Sequence, residues 1–419
     1  MITLVEALDF RCLRQVRQRL DAMHVLVGPN ASGKTTFLDV VGFLGRLVAH
    51  GPEAAIAERT RNFSDLTWGR KGTSFELAIE ARIPDDLRLR NENFSTIRYE
   101  VACRIDPQTG ETGIFNEIVD LVAPEQDSPR QVNLFPNASR TPPAPLIRAS
   151  ESRRRIHRYV AQTHSNSVLF SAEVDRNPPE RWSQSLKLGP RRSILANIPA
   201  DESLFPASLW LQNLLVRGVQ SIVLNSLLIR QASPPGQVQG FKPDGSNLPW
   251  VIAEFERAAP ERFQDWLLHL NTALPDLVGI RVVERDDDRH RYLMLKYRGG
   301  LEVPSWTVSD GTLRLLALTL PAYLPDLRGV YLIEEPENGI HPRAVETMFQ
   351  SLSSVYDAQI LLATHSPVIL GLASPDSILC FAKSEDGSTD IVLGREHPAL
   401  QDWRGEVNLG VLFASGVLG

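Results

Sequence analysis

Eight consecutive residues, Gly28-Pro29-Asn30-Ala31-Ser32-Gly33-Lys34-Thr35, have the types and spacing to hold phosphate. The glycines let backbone N–H groups wrap an anion, the lysine reaches β- and γ-oxygens, and the hydroxyl after it can bind Mg²⁺. The candidate phosphate-binding residues are therefore Gly28, Asn30, Ala31, Ser32, Gly33, Lys34, Thr35 and Thr36. Far along the chain, the apolar run Val330-Tyr331-Leu332-Ile333 enters Glu334-Glu335, a Walker B pattern. Its first carboxylate suits Mg²⁺ together with Thr35, and its second suits the orientation and deprotonation of an attacking water. A third segment, Gln359–Ala363, ends in Thr364-His365-Ser366-Pro367, and a histidine there can contact the γ-phosphate. The chemistry implied is hydrolysis of a nucleoside triphosphate, with Glu335 and His365 as catalytic candidates.

These residues need particular elements beneath them. Met23–Val27 (MHVLV) is a short apolar run suited to a buried strand, and Thr36–Val48 repeats Phe37, Val41, Leu44 and Val48 at helical spacing. A strand–loop–helix unit puts a helix N-terminus against the anion. Met1–Leu8 and Val16–Leu20 read as strands. Ser74–Ile83, Thr96–Ile105 and Ile114–Val122 read as strands of an antiparallel set. His50–Arg70 reads as irregular, and Ala123–Pro145, with six prolines, as an exposed loop. Leu204–Leu228 and Trp250–Leu274 read as helices, and Gly279–Glu284 with Tyr292–Tyr297 as a hairpin. The Asp286-Asp287-Asp288 tip of that hairpin, flanked by Arg285 and Arg289, reads as a solvated turn rather than a metal site.

Composition sets the frame. The 419 residues carry 43% apolar and 22% charged side chains and a net charge of -6, which describes a soluble globular chain with ample core. That balance argues against a protein that is basic all over, although local basic patches remain open. Three scattered cysteines, Cys12, Cys103 and Cys380, form no C-x-x-C pair and read as reduced core residues. No signal-peptide pattern and no spanning apolar run is present, so a cytoplasmic location without a membrane partner is expected.

From Val308 onward the chain resembles a known family. Val308-Ser309-Asp310-Gly311-Thr312 precedes an apolar helix and is similar to the signature motif of ABC-type ATPases. The order of phosphate loop, long insertion, S-D-G-T, E-E-P-E-N and T-H-S-P resembles the RecF, SMC and OLD group. It looks closest to compact OLD-like "AAA family" ATPases of bacterial genomes. The Phe10-Arg11 start and the closing stretch Gly410–Gly419 resemble that group as well. The resemblance implies an α/β P-loop NTPase of ABC-ATPase type, a mixed sheet core flanked by helices with a long β- and helix-containing insertion. It divides the chain into residues 1–72 and 301–419 as the ATPase head and 73–300 as an inserted antiparallel β and helical lid region. ATP and Mg²⁺ are the implied cofactors. Ser309, Asp310, Gly311 and Thr312 would complete the site of a second subunit in trans, so a homodimer or larger homo-oligomer joined by sandwiched ATP is implied. Two departures stand out: Ser309-Asp310-Gly311-Thr312 replaces the S-G-G-Q of transporter subunits, and Glu334-Glu335 replaces their Asp-Glu. No Q-loop glutamine is identifiable. About 50 residues follow Ser366, too few for the TOPRIM nuclease domain of OLD nucleases.

The expected role is a clamp or switch ATPase, the sensor of a bacterial anti-phage system that hands activity to a separately encoded, nuclease-like effector. A RecF-like DNA-repair ATPase is the main alternative. It would draw on double-stranded DNA contact by Arg153, Arg154, Arg155 and Arg158 in the basic stretch Glu151–Arg158, whose bland reading is a solvated face. A scaffold with structural, barely hydrolysed ATP is a further reading, opposed by Glu335 and His365. A transporter subunit fits least.

Overall fold

Short apolar segments without alternation form strands buried on both faces, and here they build the sheet that carries the phosphate loop. The computed structural model describes residues 1–87, 94–122, 145–147, 156–161, 167–173, 183–237, 240–325 and 327–397. The chain opens with a hairpin, β1 (Ile2–Phe10) and β2 (Leu13–Arg19), then β3 (Met23–Val27) and helix α1 (Lys34–His50). Helix α2 (Pro52–Ala57) and two 3₁₀ turns lead into the long strands β4 (Ser74–Arg82), β5 (Thr96–Ile105) and β6 (Thr112–Val122). Strands β7 (Ile156–Ala161), β8 (Ser167–Ser171) and β9 (Ser183–Lys187) follow, then helix α3 (Pro206–Asn213), strand β10 (Val219–Ile222) and helix α4 (Ser226–Arg230). Helices α5 (Leu248–Ala258) and α6 (Pro260–Ala273) precede strands β11 (Leu277–Glu284), β12 (Arg291–Tyr297) and β13 (Glu302–Pro304). The last part alternates: α7 (Asp310–Thr319), β14 (Gly329–Glu334), α8 (Pro342–Ser353), β15 (Ala358–Ala363), α9 (Pro367–Leu372), then the hairpin β16 (Ile378–Lys383) and β17 (Thr389–Leu393).

Two six-stranded sheets dominate. One has the order β10-β14-β15-β3-β16-β17, parallel except for the terminal hairpin. The other, β2-β1-β4-β5-β6-β7, is antiparallel throughout. Helix α1 lies between them, against β1 and β4 on one side and β10 and β15 on the other. That position explains why it is apolar nearly all round: Phe37, Leu38, Val40, Val41, Phe43, Leu44, Leu47 and Val48 are all buried. Rings of Phe10, Phe43 and Phe63 gather on Phe75, with centroids 5.0, 5.5 and 5.6 Å from it. A second core lies on the far face of the parallel sheet, under α5 to α9, centred on Trp266, Phe255 and Phe263. The side chain of Gln359 bolts the two sheets together. Its Oε1 accepts from the Ile2 N–H at 3.0 Å, and its Nε2 donates to the carbonyls of Ile2 and Asp21 at 2.8 and 2.7 Å.

The middle of the chain departs from expectation. Leu204–Leu228 is not one helix: α3 ends in a π-helical turn, Leu214–Gly218, and Val219–Ile222 becomes β10, pairing in parallel with β14. Glycines permit this, because a Cβ on Gly329 would stand 2.3 Å from the Gly218 carbonyl oxygen. Short strand and helix segments of mixed burial, laid end to end along one apolar-rich run, carry no single period that separates them. Trp250–Leu274 is likewise two helices, broken at Ala259–Pro260, where proline has no N–H to continue the ladder. The His50–Arg70 stretch contains α2 and 3₁₀ turns rather than being irregular. In the Asp286–Asp288 turn, Asp288 meets Arg285 and His290, and Arg289 bonds Glu284. The proline-rich segment 123–144, the basic residues Arg153, Arg154 and Arg155, and Gly410–Gly419 lie outside the described residues. Among the described residues no helix is long and apolar enough to cross a membrane.

Candidate functional site

The loop from Gly28 to Gly33 joins β3 to α1, and its conformation is one that side chains resist. Gly28 has φ 147° and Gly33 φ 106°, while Ala31 also takes a positive φ of 62°. A Cβ on Gly28 would stand 2.3 Å from the Phe381 carbonyl oxygen, and one on Gly33 2.3 Å from Thr389 Oγ1. The β16–β17 hairpin therefore presses on the loop from outside. Thr389 Oγ1 donates to the Ser32 carbonyl at 2.8 Å, and the Cys12 thiol, in the β1–β2 turn, lies 3.5 Å from Thr36 Oγ1. Asn30 and Ala31 are exposed at the tip; Ser32 is buried, its hydroxyl unpartnered among the described residues. The first turn of α1 has no side-chain cap and no acidic residue, which leaves its N–H groups and positive pole open to an anion.

Lys34 folds back on this cradle. Its Nζ donates to the carbonyls of Gly28 and Pro29 at 2.8 and 3.0 Å. Burial lowers its pKa, partly opposed by the carboxylates of Glu335 and Glu334. Those two residues sit at the C-terminal end of β14, and Thr35 Oγ1 hydrogen-bonds Glu334 Oε2 directly. The parallel register of β3, β15 and β14 thus gathers the phosphate loop, His365 and Glu334-Glu335 at the same end of adjacent strands, the usual ligand edge of an open α/β sheet. Glu335 has φ 44°, a left-handed conformation that a glutamate adopts only when its surroundings impose it. Its N–H donates to the Ala363 carbonyl at 2.8 Å, and Asn338 Nδ2 donates to its Oε2. Donor chemistry and cradle together fit a triphosphate with a divalent cation: open amides, one ammonium, one hydroxyl and two carboxylates.

The signature-like residues open helix α7. Ser309 caps α7, with Oγ accepting from the Thr312 N–H at 3.3 Å and lying 2.8 Å from Thr312 Oγ1. Asp310 is exposed and pairs with Arg230, Nη2 to Oδ1 at 2.6 Å. Gly311 touches the loop after β14: a Cβ there would stand 2.4 Å from the Gly339 carbonyl oxygen. His341 caps α8, Nδ1 accepting from the Arg343 N–H at 3.3 Å. Arg158 falls on β7, where the register sets it opposite Asp120, itself opposite Arg98 and thence Glu80. Sequence reasoning missed Glu337, Asn338, Arg230 and Thr389. The polar E-N pair just past Glu335 was the available signal for the first two, whereas Arg230 and Thr389 carry none.

Comparison with solved structures returns SMC heads. One, the SmcHead bound to the C-winged helix domain of ScpA, superposes with TM-score 0.53 at 14% identity, covering 93% of this chain and 96% of that chain. Another, from Pyrococcus furiosus, is the Smc head domain with an extended coiled coil bound to the C-terminal domain of ScpA. It gives TM-score 0.50 at 14% identity, covering 93% and 95% of the two chains. At such identity the likeness speaks of fold alone: a P-loop NTPase of ABC-ATPase type. No curated protein matches the chain. Residues 23–371 match the family model described as "AAA domain, putative AbiEii toxin, Type IV TA system", and the chain belongs to that family.

Proposed function

We propose that the chain is an ATP-hydrolysing clamp whose closed state joins two copies through shared nucleotide. One observation carries this reading: the hydrogen bond between Thr35 and Glu334, which unites the phosphate loop with the carboxylate strand and leaves Glu335 and His365 beside it. Gly28, Asn30, Ala31, Ser32, Gly33 and Thr36 wrap the phosphates, and Lys34 leaves its own loop carbonyls for β- and γ-oxygens. Thr35 and Glu334 hold Mg²⁺, which when bound neutralises phosphate charge. Glu335 takes the proton of the attacking water, and His365 steadies the γ-phosphate. In the closed dimer, Ser309, Asp310, Gly311 and Thr312 bring the N-terminal pole of α7 to the partner's nucleotide. Hydrolysis removes that contact and opens the clamp.

The biological setting we propose is that of an OLD-like sensor ATPase in a bacterial anti-phage system, working with a separately encoded effector protein. Support comes from the family match and from fold neighbours crystallised with a protein partner. The test is ATP turnover by the purified chain, alone and with double-stranded DNA, beside Lys34→Ala and Glu335→Gln. Turnover is expected to vanish in both variants. Glu335→Gln with ATP is expected to run as a dimer in sedimentation at micromolar concentration; a monomer there refutes the clamp.

A further inference from the structure

We propose that Glu337 is a positioning residue for His365, so that the loop after β14 sets the turnover rate of the ATP site. The inference rests on the reading of that site given above. Glu337 lies two residues past Glu335, and its Oε1 accepts from Thr364 Oγ1 at 2.6 Å and from the His365 backbone N–H at 3.0 Å. Both donors stand immediately past the end of β15. Its second oxygen, Oε2, is buried and meets no donor among the described residues, so the side chain's hydrogen bonding is spent on those two groups. A carboxylate taken out of water for two local donors costs free energy, and a loop with no further task has no need of it. The same loop grips the other catalytic candidate, because Asn338 bonds the Glu335 carboxylate. Glu337 therefore ties the loop after β14 to the end of β15, while Asn338 holds the Glu335 carboxylate within that loop. The Glu337 tie pins the backbone pivot about which the His365 side chain turns. A displacement of about 1 Å at such a pivot is enough to slow chemistry by roughly 100-fold.

Glu337 touches neither phosphate nor water in this scheme, so its loss shows in kcat and not in ATP affinity. Steady-state ATP turnover of Glu337→Ala is expected to fall about 10- to 100-fold with KM within about threefold of wild type. Glu337→Gln keeps an acceptor oxygen for both donors and is expected to stay within about threefold of wild type. In a His365→Ala background, Glu337→Ala is expected to add no further loss. Thr364→Val, which removes one donor to Glu337 together with the acceptor of the Ser366 N–H, is expected to slow turnover a few-fold in the wild-type background and not at all with His365→Ala; Thr364→Ser keeps both bonds and is expected to stay within about threefold of wild type, so the pair answers the question even if Glu337→Ala does not fold. The proposal is overturned by wild-type kcat in both Glu337→Ala and Thr364→Val, by a Gln variant as slow as the Ala variant, or by losses that add in full to that of His365→Ala. Turnover insensitive to His365→Ala and Lys34→Ala would instead remove the underlying site reading.

Discussion

In the proposed ATP site, a buried lysine whose ammonium is satisfied by its own loop would exchange those partners for phosphate. Lys34 donates to Gly28 and Pro29 carbonyls, and a phosphate oxygen offers a charge-assisted bond in their place. Lys34→Ala is expected to weaken ATP binding at least about 100-fold, roughly 2.7 kcal/mol, by titration calorimetry. Unchanged affinity would mean that phosphate is held elsewhere. At this scale the sequence is most readable where function is contiguous. Gly28–Thr35 and Glu334-Glu335 are recognisable because each is a contiguous run at one loop or one strand end. Glu337 reaches Thr364 and His365 across 27 and 28 residues, and Thr389 reaches Ser32 across 357. Such pairs depend on strand order, which no local pattern encodes.

Among the elements, helix α3 shows how burial and titration are linked. Glu173 accepts from the Ala207 and Ser208 N–H groups at 2.7 and 3.0 Å and so caps its N-terminus. Burial pushes its carboxyl from 4.5 up to about 7. The folded chain then keeps a proton that the unfolded chain has released between those values. This contribution to stability is full below about pH 4.5 and is lost as pH rises through 7, about 3 kcal/mol in all. Glu173→Gln is expected to flatten the decline of melting temperature between pH 5 and 8; an unchanged slope would place the titration elsewhere. Helix α7 is constrained by contact instead. Gly311→Ala drives a methyl into the Gly339 carbonyl oxygen, and backbone there cannot give way. A cost of about 1–3 kcal/mol in thermal unfolding is expected. Alternating strands such as β4 and β5 and the long apolar helix α1 were legible beforehand. The β10 segment was not, since four residues of an edge strand between two helical turns have too few positions to show a period.

Across the whole molecule, charge is held inside the antiparallel sheet. Arg98, 2% exposed, meets Glu6, Glu80 and Glu100, at 2.9 Å in the case of Glu80. Burial alone would lower its pKa, but the three carboxylates more than offset that and the net shift is upward. Arg98→Met removes the cation shared by the three carboxylates, of which Glu6 keeps Arg17, and is expected to cost about 3–5 kcal/mol in denaturant unfolding. A change under 1 kcal/mol would mean that water or another cation replaces the guanidinium. The order of strands has another consequence, one that concerns the ribosome. Strand β3, which leads into the phosphate loop, lies between β15 and β16 among the described residues, and neither exists until residues 358–383 have been made. At about 5–20 residues per second the loop waits roughly 20–70 s after its own synthesis for its sheet. The apolar MHVLV strand is without its sheet neighbours for that interval.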